Sequence, residues 1–315
     1  MTTCDIIVPC FNEQEVLNAF YTETRKITDS MKGYDFTFIL VDDGSRDNTV
    51  KIMKELASAH SDVRYISFSR NFGKEAAMYA GLSHSTGDLV IIMDADLQHP
   101  PAMIPVMMEG IEEGYECAAA MRTTREGEKR LSSLFSSLFY KVSNALTEIK
   151  MPQNAVDFRI MRRTMVDAIL KLAEVERFSK GIFAWVGFET KWYPYENVER
   201  TLGTTKWSFK SLLRYALLGI TGFSTVPLKW LTVAGVGMCA VAFVYTLIAV
   251  IRWLIPGVSV SASAPVICIL LCMGGILELS LGILGEYMTH IYRQVKNRPI
   301  YLIRQTNIKN DSAAK

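Results

Sequence analysis

Two aspartates, Asp94 and Asp96, stand one residue apart at the end of the apolar run Leu89-Val-Ile-Ile-Met93. Five apolar residues in succession read as a buried parallel strand. Pro100 and Pro101 follow closely, stopping the strand and pre-setting the first turn of a helix. Twisted α/β sheets place ligands outside the carboxyl ends of their strands, so the two acids lie where chemistry is expected. Bringing like charges together out of water is costly unless a cation joins them. Hard oxygen donors with open positions suit Mg²⁺ or Mn²⁺, which also take oxygens from a ligand's phosphates. An Asp-rich turn that merely caps the following helix is the competing reading.

A second acidic pair, Asp42-Asp43 before Gly44-Ser45, and a cation, Lys74 in Asn71-Phe-Gly-Lys-Glu75, enlarge the set. Asp42 to Ser45 is also a good Asx turn and helix cap, and Lys74 could belong to a solvated loop. Together, such groups match the needs of a nucleotide diphosphate, which uses a metal for its oxygens, carboxylates for base or ribose, and a lysine for residual charge. Sugar transfer from that donor requires cations to stabilise the charge growing on the departing diphosphate. Asp157 has Arg159 and Arg162 as nearby ion-pair partners in sequence. His99 reads as a loop residue rather than a general base, and His60, His84 and His290 as surface or interface residues.

The elements that position these groups follow from periodicity. Residues 5–10, 36–41, 63–68 and 89–93 read as strands, separated by helical patterns ending near 30, 60 and 84. A helix over 100–114, strands over 116–121 and 157–161, a helix over 163–172 and an aromatic-rich segment over 178–185 follow. Strands alternating with helices predict a parallel, doubly wound sheet. Right-handed crossovers bring its strand ends to one rim, so Asp42, Lys74 and Asp94 converge.

At 315 residues the chain has room for about two domains. A net charge of +2 gives no support to nucleic-acid binding. The six cysteines, at 4, 10, 117, 239, 268 and 272, lack zinc-site spacing and read as small hydrophobes in a reducing compartment. No signal peptide precedes the first strand, so the N-terminal part is expected in the cytoplasm. Residues 231–251 and 264–285 are each about 20 residues long and nearly uncharged, enough to cross a hydrocarbon core of about 30 Å. Lysines and arginines concentrate outside the pair, which puts both flanks in the cytoplasm. Lys206, Lys210 and Arg214 lie four apart opposite an apolar stripe, the pattern of a helix in the membrane interface. The division expected is 1–205 catalytic, 206–230 juxtamembrane, 231–288 membrane-spanning and 289–315 a basic tail, disordered from 307. Glu278 interrupts the second span and is given no catalytic role.

Six stretches occur in order: Val8-Pro-Cys-Phe-Asn-Glu13, Val41-Asp-Asp-Gly-Ser45, Asn71-Phe-Gly-Lys-Glu75, Asp94-Ala-Asp-Leu-Gln-His-Pro-Pro101, Asp157-Phe-Arg159 and Arg200-Thr-Leu-Gly-Thr-Thr-Lys-Trp207. With them the sequence resembles glycosyltransferase family 2, in its polyprenyl-phosphate branch. That branch includes dolichol-phosphate mannose synthases, bactoprenol glucosyltransferases and undecaprenyl-phosphate aminoarabinose transferases. The resemblance implies an α/β GT-A fold with a mostly parallel central sheet, followed by the amphipathic helix and two transmembrane helices. It implies that Pro9, Phe11, Asn12, Glu13, Asp42, Asp43, Lys74, Asp94 and Ala95 line the nucleotide-sugar pocket. Phe11 stands where tyrosine is frequent, and its ring keeps the stacking role. Asp94, Asp96 and Gln98 are implied ligands of Mg²⁺ or Mn²⁺. Arg122, Arg130, Arg200 and Lys206 are implied partners of the acceptor phosphate and the departing diphosphate, with Arg125 or Lys129 as substitutes. Asp96, Asp157 and Arg200 form the implied catalytic set.

The activity this implies is inverting transfer of a hexose to undecaprenyl phosphate on the inner membrane, with glucose from UDP-glucose as the donor by analogy. Partners are then the nucleotide sugar, the polyprenyl phosphate, membrane lipid, a second copy of the chain and a separate flippase. The same branch with GDP-mannose, UDP-aminoarabinose, UDP-GlcNAc or a galactose donor is an alternative, as is a non-enzymatic nucleotide-sugar-binding anchor. A processive polysaccharide synthase would carry Gln-x-x-Arg-Trp, which this sequence lacks.

Overall fold

The computed structural model describes residues 1–123, 154–172, 174–196, 224, 226–253 and 263–308. The expected alternation is present as β1 (Thr2–Cys10), α1 (Leu17–Ser30), β2 (Tyr34–Asp42), α2 (Thr49–Ala59), β3 (Val63–Phe68), α3 (Lys74–His84), β4 (Leu89–Ile92) and α4 (Met103–Glu112). β1 pairs in parallel with β2 and β4, and β2 with β3. Ile6, Ile7, Ile39, Leu40, Val90 and Ile91 are all fully buried. Adjacent residues of each strand are thus covered on opposite faces, which explains runs that are apolar throughout rather than alternating. α3 packs close against the sheet. A Cβ on its Gly81 would come 2.2 Å from Cγ2 of Ile7, so this crossing needs glycine.

The second half of the sheet is mixed. β5 (Cys117–Arg122) and β6 (Ala155–Arg162) pair antiparallel, and β6 also runs antiparallel to β4. α5 (Arg163–Leu170) and α6 (Ser179–Trp185) lead to β7 (Thr190–Tyr195), which is parallel to β5. β7 was not expected from the sequence, because Pro194 interrupts its pattern. The strand lies at the sheet edge, where a missing N–H is tolerated. The aromatic-rich segment after Phe178 is the short helix α6.

Two long helices follow, α7 (Val226–Trp253) and α8 (Ser263–Val295), and then β8 (Ile303–Thr306). β8 completes the order β7-β5-β6-β4-β1-β2-β3-β8 by pairing antiparallel with β3. The tail expected to be disordered from residue 307 is therefore ordered at its start. Asn307 Oδ1 accepts the Tyr65 N–H at 2.7 Å and its Nδ2 donates to Val63 O at 3.2 Å. Tyr301 stacks on Phe68 with ring centroids 5.0 Å apart. The end of α8 is fastened separately, since Glu176 pairs with both His290 and Arg293. Among the described residues no helix is long and apolar enough to cross a membrane. Many described apolar side chains of α7 and α8 nevertheless face outward, with Val233 at 69%, Phe243 at 71% and Leu277 at 61% exposure. The expected amphipathic helix after Lys206 lies outside the described residues.

Candidate active site

The carboxyl ends of the parallel strands meet at one rim. Asp94 follows β4, Asp157 lies in the neighbouring β6, and Lys74 opens α3. The Lys74 ammonium is 2.7 Å from Asp94 Oδ1 and 2.7 Å from Asp157 Oδ2. Burial opposes charge on Lys74, but Asp157 and Asp94 outweigh it and hold the ammonium's pKa well above its ordinary value. Burial likewise pushes the Asp157 carboxyl up, and Lys74, with Lys180 and Arg159, reverses that push and holds it well below the usual carboxylate range. Both groups are charged at neutral pH. The second oxygen, Asp157 Oδ1, is buried and has no hydrogen-bond partner.

The sequence offered Arg159 and Arg162 as partners for Asp157, and the structure gives Lys74. The Arg159 guanidinium lies 3.6 Å over the Phe183 ring and donates to the backbone oxygens of Val156 and Asp157. That of Arg162 donates to the backbone oxygens of Tyr115 and Ile111.

Asp42 and Asp43 are almost fully buried, at 1% and 3% exposure. Asp42 Oδ1 accepts the Ser45 N–H at 2.9 Å, forming the Asx turn, and its Oδ2 accepts the Ser67 hydroxyl at 2.8 Å. Asp43 accepts the N–H groups of Phe72 at 2.6 Å and Gly73 at 2.9 Å. It thereby fixes the start of α3 and with it Lys74. Burial pushes the Asp43 pKa up to about 6 even against these two backbone hydrogen bonds. Between the two loops, Gly44 has φ +71°, and a Cβ there would sit 2.4 Å from the Arg70 carbonyl carbon. Asn12 donates its N–H to Ser45 Oγ at 2.8 Å and accepts the Arg46 N–H at 2.9 Å. Pro9, Phe11, Asn12 and Glu13 stay half-buried along this edge. Asp42 and Asp43 therefore build the rim by accepting from backbone N–H groups and the Ser67 hydroxyl.

After Asp94 and the buried Ala95 the chain turns sharply. Leu97 has φ +56°, a left-handed conformation unusual for a branched side chain. Asp96 Oδ1 accepts the Gln98 N–H across this turn at 3.2 Å. Among the described residues no group of three or more His, Cys, Asp and Glu side chains is arranged to hold a metal ion. The expected set is instead two carboxylates and the Gln98 amide oxygen. These are hard donors of the kind Mg²⁺ and Mn²⁺ take, and one of them, Asp94, is paired with Lys74.

His99 lies in the loop after β4, as expected, but its side chain is buried there. It is 3% exposed, stacked on Phe158 at 5.4 Å and edge-on to Tyr195 at 5.8 Å. Neither ring nitrogen has a hydrogen-bond partner. Burial pushes its pKa down, against the pull of Asp94 and Asp96. The Tyr195 oxygen accepts from Arg122 Nε at 3.3 Å, which places Arg122 beside the same cluster. Arg130, Arg200 and Lys206 lie outside the described residues. Sequence reasoning named His99 only as a loop residue and missed Tyr195.

Residues 5–170 match glycosyl transferase family 2. The chain is 43% identical over 305 residues to CsbB of Bacillus subtilis (strain 168), spanning 97% of this chain and 92% of that protein. It is 38% identical over 305 residues to the SfII prophage-derived bactoprenol glucosyl transferase of Shigella flexneri, spanning 97% and 98%. Among solved structures, glucosyl-3-phosphoglycerate synthase from Mycobacterium tuberculosis aligns with a TM-score of 0.47 and 20% identity, over 70% of this chain and 78% of that one. With a family match over more than half its residues and relatives aligned along nearly its whole length, the chain belongs to glycosyl transferase family 2.

Proposed function

We propose that this glycosyltransferase moves glucose from UDP-glucose to a bactoprenol-type polyprenyl phosphate at the cytoplasmic face of a membrane, with inversion at the anomeric carbon. The observation that carries the reading is the Lys74–Asp94–Asp157 cluster, with both contacts at 2.7 Å, in a chain aligned over 97% of its length with a bactoprenol glucosyl transferase. Asp94, Asp96 and the Gln98 oxygen would hold Mg²⁺ or Mn²⁺. Bound there, the ion supplies positive charge to the leaving diphosphate. Phe11 offers a stacking face for the base, and Pro9, Asn12 and Glu13 border it. Asp42 and Asp43 shape the pocket by holding its loops, and Ala95 keeps its floor narrow.

A phosphate monoester with a second pKa of about 6 is largely deprotonated at neutral pH, so the acceptor needs no strong base. The protein's task is to bring two anions together in line. Arg122, joined by Arg130, Arg200 and Lys206, offsets their repulsion. Asp157 orients the cationic side of this site, and Asp96 and Arg200 complete the catalytic set.

α7 and α8 support a membrane-bound reading. At 28 and 33 residues they extend about 42 and 50 Å at 1.5 Å per residue, beyond a hydrocarbon core of about 30 Å. Their full sequences carry few charges, and their outward apolar side chains need an apolar solvent. Basic residues on both flanks support a cytoplasmic position for the catalytic domain and both termini. The test is incubation of the full-length protein and polyprenyl phosphate with a panel of nucleotide sugars. Lipid-linked glucose is expected from UDP-glucose with a divalent ion present. Product from another sugar alone would reassign the donor, and no product from any would end the enzymatic reading.

A further inference from the structure

The Lys74 ammonium already occupies the approach to Asp94. It lies 2.7 Å from Oδ1 and 2.9 Å from Oδ2 of that carboxylate, and 2.7 Å from Asp157 Oδ2. The three side chains are between 17% and 31% exposed, so water screens these contacts only in part. A divalent ion on Asp94 needs the same lone pairs, and two cations on one carboxylate repel each other. We infer that Lys74 is a positioning residue that gates the metal, holding Asp94 and Asp157 in place until a divalent ion arrives together with a nucleotide diphosphate. This rests on the reading of Asp94 and Asp96 as metal ligands.

Two features make the handover possible. Asp157 Oδ1 is buried without a partner, so the lysine has a second acceptor waiting when it leaves Asp94. The diphosphate brings negative charge that offsets the divalent ion beside the ammonium. Metal alone meets an occupied carboxylate, whereas metal and nucleotide together meet a favourable one. Their binding is therefore mutually reinforcing, and by linkage each tightens the other equally.

The test measures Mn²⁺ binding to the full-length protein by electron paramagnetic resonance, with and without UDP. The wild type is expected to bind Mn²⁺ weakly alone and tightly with UDP. Lys74→Met should bind Mn²⁺ alone about ten- to a hundredfold more tightly, the range spanned by one competing charge-assisted hydrogen bond. Its gain on adding UDP should shrink correspondingly. Lys74→Gln keeps two donors for the acids without the charge, and the same direction is expected where the methionine variant does not fold. Lys180 acts on Asp157 electrostatically, and Lys180→Met should leave Mn²⁺ affinity within about twofold. Equal affinity in wild type and both Lys74 variants, or equal tightening by Lys180→Met, overturns the gate. Failure of the wild type to bind Mn²⁺ even with UDP refutes the metal site itself, and the gate falls with it.

Discussion

An ion pair between half-buried side chains depends on both partners, because removing one leaves the other charged in a medium poorer than water. Asp157→Asn keeps the shape of β6 but takes one carboxylate from Lys74. The expected result is a fall in kcat of about tenfold or more with donor KM changed by less than about threefold, read by steady-state transfer assays. Asp96→Asn should abolish transfer at saturating Mg²⁺ while membrane insertion is unchanged. Asp43 makes a prediction about pH. Its pKa is raised from 3.8 to about 6 by burial, so its contribution to stability is full below about 4 and is lost as pH rises through about 6. Asp43→Asn, uncharged throughout, should gain on the wild type across that window in thermal melts of the full chain. The meeting of Lys74 with Asp94 was legible, because an apolar run stops just before Asp94 and the crossover helix that leads to that run begins at Lys74. His99 was not, since its burial comes from Phe158 and Tyr195, on strands far away in sequence.

At the scale of elements, close approach explains more than propensity does. α3 has its Gly81 against Ile7 of β1, and adding a methyl there forces the strand side chain to shift. Gly81→Ala should cost about 1–3 kcal/mol, seen as a lower melting temperature with the site chemistry retained. The parallel core strands could be read from composition, because uninterrupted apolar runs have few other uses. Their ends could not. β1 begins at Thr2 rather than Asp5 because residues 2–4 pair with Tyr34–Phe36 of β2, and Thr3 also donates its N–H and hydroxyl to Asp88 at 2.9 and 2.8 Å, a contact across 85 residues. β7 and β8 are edge strands, short and only partly apolar, so the partner strand makes them rather than their own pattern.

For the molecule as a whole, the two long helices follow the sheet in sequence and the chain then returns to it. β8 covers the edge of β3, Asn307 satisfies Tyr65 and Val63, and Glu176 fastens the end of α8 through His290 and Arg293. Asn307→Ala removes two hydrogen bonds to backbone and should lower stability by about 1–2 kcal/mol in thermal unfolding. The route of the chain also sets a timetable. During synthesis the seven strands β1 to β7 are made first, yet the sheet's outermost ribbon arrives only after both long helices have been translated. A nascent chain halted between α8 and β8 therefore carries a bare, pairing-competent border on β3. Completion of the sheet follows synthesis of the two long helices, and final maturation of the enzyme records that their far end has come back to the sheet.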